Sequence, residues 1–366
     1  MNFWQELKAK KRALSTSGDM GDGTAPIIVL APMADVTDAA FRRVIAKYSR
    51  MGEPNGGPDV LWTEFVSADG LAFAPELGRA KLLKDLIFSK GEHPIVAQFF
   101  TSNPESMEKA ARLATELGFD GIDINMGCPD KSIEKQGAGA AMMKNPERAK
   151  EVILGAMRGT HLPVSVKTRI GYSKNQLSEW LPAILSTNPA VVTIHARTRK
   201  EMSLVPARWE HVREAVEIRD KIQADISPEK RTLIFGNGDV NDCASAFART
   251  KETGADGVMI GRGIFGNPWI FDLNRYVKSS DGTANDIANG IFQMPTMEEK
   301  LRVMVEHTNL FEELLGDTKN FSIMKKHYKA YVSGWDGAKE LRMQLMETNS
   351  AKEVATIVDN YLKTIH

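Results

Sequence analysis

The stretch PIVAQFFTSNPESMEKAARLATELGFDGIDINMG, residues 94–127, contains one complete strand–helix–strand unit. Its two ends, PIVAQFF (94–100) and GIDINMG (121–127), are short β-rich segments, apolar enough to be strands covered on both faces. The middle reads as a helix, running from Asn103 as cap to a terminating Gly118. The same texture recurs on both sides. Strand candidates are PIIVLA (26–31), DVLWTEFV (59–66), PVSVKTR (163–169), AVVTIHA (190–196), TLIFGNG (232–238) and DGVMIGRG (256–263), which brings the number to eight. Helical candidates include TDAAFRRVIAKYS, with Thr37 as N-cap, and NPERAKEVILGAMRG, with Asn145 as cap, Pro146 in the first turn and Gly159 at the end. Eight strand–helix alternations over about 250 residues are what a (β/α)8 TIM barrel requires. A doubly wound open sheet is the competing arrangement. The count of eight and the lack of GxGxxG after the first strand favour closure.

Around this core the texture changes. Residues 1–24 form an N-terminal extension, a short charged helix followed by STSGDMGDGT, and the barrel domain spans 25–278. The polar segment SSDGTANDIANG opens a linker over 279–295. From 296 to 366 the pattern is helical throughout, in four segments, and predicts a smaller all-α helical-bundle domain. Lys plus Arg equals Asp plus Glu at 47 each, so net charge neither indicates nor excludes a nucleic-acid partner. Two cysteines make no disulfide framework and no paired-cysteine metal site, so a reduced compartment and no metal are expected. No apolar run reaches about 18 residues and the N-terminus lacks the form of a signal peptide. A cytoplasmic protein without membrane attachment, and a monomer, is the expectation.

In such a barrel, ligand groups come from the carboxyl ends of the strands. Read in order, those ends carry Pro32, Met33 and Ala34; Glu64; Gln98; Asn125 with Cys128; Lys167 with Arg169; His195 with Arg197; Asn237, Gly238 and Asp239; and Gly261 with Arg262. A polar residue at one strand end is commonplace; a polar ring at nearly all of them points to a site. The glycine-bearing loops after strands seven and eight occupy the places where barrels bind phosphate, and Arg262 can add charge-assisted hydrogen bonds. A phosphate site beside Lys167, Gln98 and Met33 suits flavin mononucleotide: apolar backbone against the ring, Gln98 at its polar edge, Lys167 near its electron-rich nitrogen. A Schiff-base role for Lys167, as in a barrel aldolase, is the alternative on chemistry alone. Cys128 stands between Gly127 and Pro129 at a strand end, a setting that projects a thiol over the barrel mouth as nucleophile or proton donor. An inert core cysteine is the contrary reading, and the one given to Cys243.

These residues also resemble the tRNA-dihydrouridine synthase family. The matching segments are APMADVTDAAFRRVIA, PIVAQFFTSNPESM, INMGCPDKSIEKQGAGAAMMKNPE, VSVKTRIGY, TIHARTR, IFGNGDV and ADGVMIGRGIFGNPWIF, covering about residues 26–273. The resemblance implies a flavin-binding barrel with a C-terminal helical domain that reduces the 5,6 double bond of tRNA uridines. NADPH (or NADH) would recharge the FMN, and Cys128 would be the proton donor. It further implies that Pro32, Met33, Ala34, Gln98, Lys167, His195, Asn237, Gly238, Asp239, Gly261 and Arg262 hold the flavin. Asn125 would bind the uracil edge, with Arg197 a candidate for substrate or phosphate. In the helical domain Lys325, Lys326 and His327, with Lys329 nearby, would form a basic tRNA-binding cluster. One departure stands out: after TIHARTR the family pattern has an aromatic and a glycine before a Trp, whereas this chain has KEMSLVPARW, retaining only Trp209.

Overall fold

A computed structural model describes residues 2–16, 25–277, 287 and 290–365. Eight parallel strands are present: β1 (Ile27–Leu30), β2 (Leu61–Ser67), β3 (Ile95–Phe100), β4 (Gly121–Met126), β5 (Val164–Arg169), β6 (Val191–His195), β7 (Leu233–Asn237) and β8 (Gly257–Ile260). Seven lie within the segments predicted above, and β2 runs one residue beyond its segment, to Ser67. They pair in the order β1-β8-β7-β6-β5-β4-β3-β2, and a parallel bridge between Val29 and Val60 joins the two ends. Sequential order with closure is the barrel; an open doubly wound sheet is excluded.

The helices in chain order are α1 (Phe3–Thr16), α2 (Ala39–Tyr48), α3 (Ala68–Phe73), α4 (Glu76–Lys84), α5 (Pro104–Leu117), α6 (Lys131–Glu134), α7 (Pro146–Gly159), α8 (Leu177–Leu185), α9 (Glu210–Ile222), α10 (Cys243–Thr253), α11 (Met297–Leu315), α12 (Lys325–Tyr331), α13 (Ala338–Met346) and α14 (Ala351–Lys363). Local chemistry fixes their ends. Asn103 and Asn145 cap α5 and α7 through their side chains, and Gly118 closes α5 in the left-handed conformation. The cap of α2 is Asp38, not Thr37 as expected: the Asp38 carboxylate accepts from Phe41 N, while the Thr37 hydroxyl bonds back to Met33. A carboxylate at the positive end of a helix is the stronger acceptor.

The barrel interior is graded. Its lower part is apolar, with Val29, Val60, Trp62, Val96, Phe235 and Met259 packed together. Trp4 of α1 enters this cluster from below, 1% exposed and in ring contact with Trp62 and Phe235. Lys8 and Lys11 pair with Asp256 and Asp59. The N-terminal helix is therefore a plug in the barrel floor, and two of its lysines are engaged in holding it there. The upper interior is polar and forms the site.

A second apolar cluster joins α11–α14 to the barrel: Leu301, Met304, Phe311, Tyr328, Leu345 and Val358 pack with Ala40 and Val44 of α2 and with Trp269. All four helical segments predicted beyond residue 296 appear. The proposed linker falls largely outside the described residues; at its ends Ile291–Phe292 pair antiparallel with Tyr276–Val277.

Candidate active site

At the carboxyl ends of the strands lies a cavity of about 530 Å³, within the size range of small-molecule and cofactor sites. Pro32 and Met33 from β1, Asn125 and Cys128 from β4, Lys167 and Arg169 from β5, and His195 and Arg197 from β6 line it. So do Asn237, Gly238 and Asp239 from β7, and Gly261 and Arg262 from β8. Residues scattered over more than 200 positions of the chain thus meet in one space. Ala34 and Gln98 are not in the lining: Ala34 is exposed beside it, and Gln98 is fully buried.

The cysteine loop is held from three directions. The Asn125 side-chain oxygen accepts from Gly127 N (3.1 Å) and Cys128 N (2.9 Å). Arg169 Nε donates to Gly127 O at 2.8 Å, and Ala140 N donates to Cys128 O at 2.9 Å. The last contact explains the Gly-Ala-Gly-Ala segment. Gly139 has φ +59, and a Cβ on it would come within 2.8 Å of Cys128 O; glycine alone suits both the conformation and the approach. The thiol is half-buried, and burial pushes its pKa up from the ordinary thiol value. A thiol that keeps its proton at neutral pH is suited to donate it, not to attack as thiolate. Cys243, by contrast, is sealed at the start of α10, with its sulfur donating to Ile270 O at 3.2 Å.

Across the cavity the groups are cationic. Lys167 Nζ donates to the Asn237 side-chain oxygen at 3.2 Å; burial and then the charge of Arg169 bring its pKa down to about 8. His195 is driven well below its usual pKa by burial and by the surrounding cations. Its Nε2 lies 3.1 Å from Arg197 Nη1, and since an arginine can only donate, that nitrogen is the unprotonated one. Arg197 is itself buried, bonded to Val205 O (2.6 Å) and to the Asp239 carboxylate. Arg262 binds the other oxygen of Asp239 at 3.1 Å. Asp239 was expected to hold phosphate. Its side chain is an anion, its pKa lowered by Arg197, and it pairs with both guanidinium groups.

Gly238 has φ +119, and a Cβ there would lie 2.9 Å from the Ala207 Cβ and 3.2 Å from the His195 ring. At Gly238 the loop after β7 can therefore present only backbone to the cavity.

The proposed basic cluster of the helical domain divides. Lys326 is exposed, Lys325 half-buried and Lys329 exposed. Lys326 feels Asp35, Glu64 and Asp38, which brings it to the barrel rim near β1 and β2. His327 is 0% exposed and lies between the rings of Phe41, Phe265 and His307. Burial keeps it neutral, so it is a packing residue at the junction with the barrel and not a surface cation. Lys319, which sequence reasoning passed over, bonds Glu64 at 2.5 Å and Asp85 at 3.1 Å and ties the helical region to the rim. Glu64 stood in the strand-end ring, but nothing in the sequence announces a partner 255 residues away.

The model of a protein family described as dihydrouridine synthase matches residues 29–366. The chain belongs to the dihydrouridine synthase family. It is 35% identical over 362 residues to a probable tRNA-dihydrouridine synthase of Staphylococcus aureus strain Mu50, covering 98% of this chain and 95% of that one. It is 36% identical over 362 residues to probable tRNA-dihydrouridine synthase 2 of Bacillus subtilis strain 168, with 98% and 96% covered. To a Staphylococcus epidermidis relative the identity is 37% over 338 residues, with 92% and 94% covered. The family match extends through the helical region, which the resemblance of the strand-end motifs alone did not reach. Dihydrouridine synthases are oxidoreductases, and the Schiff-base reading of Lys167 loses its support.

Proposed function

We propose that this dihydrouridine synthase reduces the 5,6 double bond of uridines in tRNA, with FMN as resident cofactor and Cys128 as the proton donor. The observation that carries the reading is the half-buried thiol of Cys128 on the wall of a strand-end cavity. In the closed strand order, β4 lies opposite β8. Cys128 thus faces, across the barrel axis, the glycine-bearing loop that carries Gly261 and Arg262. The names of the relatives support tRNA as substrate.

The residues present fit a phosphorylated planar cofactor. Gly238 and Gly261 supply backbone without side-chain obstruction, and Arg197 and Arg262, both paired with Asp239, supply the positive charge a phosphate requires. Pro32 and Met33 offer an apolar edge, and Lys167 a buried cation for the ring. Bound there, such a cofactor would supply hydride chemistry, recharged by NADPH or NADH. Cys128 gives its proton to one uracil ring carbon, so hydride and proton together saturate the bond. The nearby charges of Arg169 and Lys167 lower the cost of the thiolate left behind, which regains a proton from solvent. The uridine must leave its stack to enter the cavity. Lys325 and Lys326 at the rim contact the tRNA backbone outside it. The enzyme acts as a monomer in the cytoplasm.

The test is reconstitution. Protein loaded with FMN and supplied with NADPH should bleach its flavin absorbance and place dihydrouridine in unmodified tRNA, read by mass spectrometry. Flavin turnover on free pyrimidines with no product in tRNA would assign the enzyme to a different substrate class.

A further inference from the structure

Asp123 takes no part in the chemistry described so far, and a buried carboxylate in the middle of a barrel strand demands a reason. It is 0% exposed and lies outside the cavity lining. It accepts from Ser165 Oγ at 2.5 Å and from Gln98 Nε2 at 2.6 Å. From there a single chain of hydrogen bonds runs upward. Gln98 Oε1 accepts from Asn125 Nδ2 at 3.0 Å, and Asn125 Oδ1 accepts from the backbone N–H groups of Gly127 and Cys128.

The direction of this chain is not arbitrary. A side-chain amide has one donor end and one acceptor end, and its orientation follows from its partners. An ionised carboxylate can only accept, so it takes the donor end of Gln98. The acceptor end of Gln98 then takes the donor end of Asn125, which leaves the acceptor end of Asn125 facing the cysteine loop. Remove the acceptor at the base and the donor end of Gln98 is left without its partner, so the chain loses its lower anchor and Asn125 is oriented by the loop N–H groups alone. A flipped Asn125 would set its NH₂ against two backbone N–H groups. We propose that Asp123 is the positioning residue of the active site, setting the polarity of Gln98 and Asn125 and through them the place of the Cys128 loop. The inference rests on Cys128 being the proton donor. It also changes the role of Gln98, whose amide is committed at both ends within the protein.

Two substitutions separate polarity from charge. In Asp123→Asn the new side-chain oxygen can still accept from Gln98. Its NH₂ then faces Ser165, whose hydroxyl has an alternative acceptor in Ile122 O at 3.1 Å. The charge goes and the direction stays. In Asp123→Leu the acceptor itself is lost. Flavin-free protein provides a readout independent of turnover, because Cys243 is sealed and thiol labelling reports Cys128 alone. Asp123→Leu should change the labelling rate of Cys128 and speed amide exchange at Gly127 and Cys128 by about tenfold each, with Asp123→Asn within about threefold of wild type. In FMN-loaded protein, dihydrouridine formation at saturating tRNA should fall by about tenfold in the leucine variant and recover in the asparagine variant. Gln98→Met breaks the chain one link higher and should reproduce the leucine result if that variant does not fold. A folded Asp123→Leu or Gln98→Met protein with labelling and exchange like wild type overturns the inference. Wild-type protein measured alongside separates the two claims: if it forms no dihydrouridine while labelling and exchange follow the expected pattern, the proposed function fails and the positioning role stands.

Discussion

Replacing Trp4 by Ala tests whether the N-terminal helix is a structural plug of the barrel. The Trp4 side chain is 1% exposed and packs on Trp62 and Phe235 at the base of the barrel interior. A tryptophan buries roughly 150–250 Å², which at about 25 cal/mol per Å² gives an upper bound of about 4–6 kcal/mol. Large-to-small core substitutions of this kind cost about 3–5 kcal/mol. The lower half of that range is the better expectation, because α1 can undock and let its neighbours relax. The salt bridges of Lys8 and Lys11, whose side chains and partners are largely buried, would then be lost too and add to the cost. Equilibrium urea unfolding, followed by far-ultraviolet circular dichroism, reads the loss directly. Trp4→Phe should recover about half of it, since a smaller ring fills part of the same space. The cavity is at the other end of the strands, so tRNA affinity should not move. A loss under about 1 kcal/mol with an unchanged m-value would mean that α1 merely rests on the barrel.

Two further outcomes are expected. His307 is pushed down to about 3 by burial, and His327 beside it is also held neutral. Both unfold into a state with a pKa near 6.5, so the unfolded chain binds protons that the native one refuses, and stability is lost as pH falls below about 6.5. Near pH 5.5 each contributes about 1.4 kcal/mol of this loss. Tyr331 and Lys326 are the other titratable neighbours and keep their protons throughout. His307→Leu should therefore gain about 1.4 kcal/mol on wild type between pH 7.5 and 5.5 in urea unfolding; an identical difference at both pH values would contradict the assignment. In the helical region, Lys325→Gln with Lys326→Gln should weaken tRNA binding and lower the slope of log affinity against log salt by about 0.7–0.9 per lost phosphate contact. Equal affinity and equal slope would reduce the pair to a solvated surface.

The barrel could be read from the sequence because its strands announce themselves locally: short apolar runs, each followed by a cap residue and a helix. The positions of Cys128, Lys167, His195 and Gly261 followed from the rule that strand ends face the ligand. What escaped was set by three-dimensional partners. His327 sits among three lysines in the sequence, but helical periodicity turns His327, Tyr328 and Tyr331 inward while Lys326 and Lys329 face out. The Asp239 carboxylate pairs with Arg197 and Arg262, a contact that no motif in the sequence indicates. Trp4 carried no signal of its docking, since its partners lie on β2 and β7. Asp123 could have been suspected: alternation along β4 puts it on the inward face with Asn125, and a charge inside a closed barrel is costly unless it is put to use.

The most direct measurement is a single turnover of Cys128→Ala. With FMN bound and reduced in advance, the wild-type enzyme should convert a target uridine in one catalytic cycle. The variant should accept electrons from NADPH at the wild-type rate and bind tRNA normally, yet form dihydrouridine at least about a hundredfold more slowly, the usual worth of a positioned general acid. Product at the wild-type rate from the alanine enzyme would contradict the assignment of Cys128.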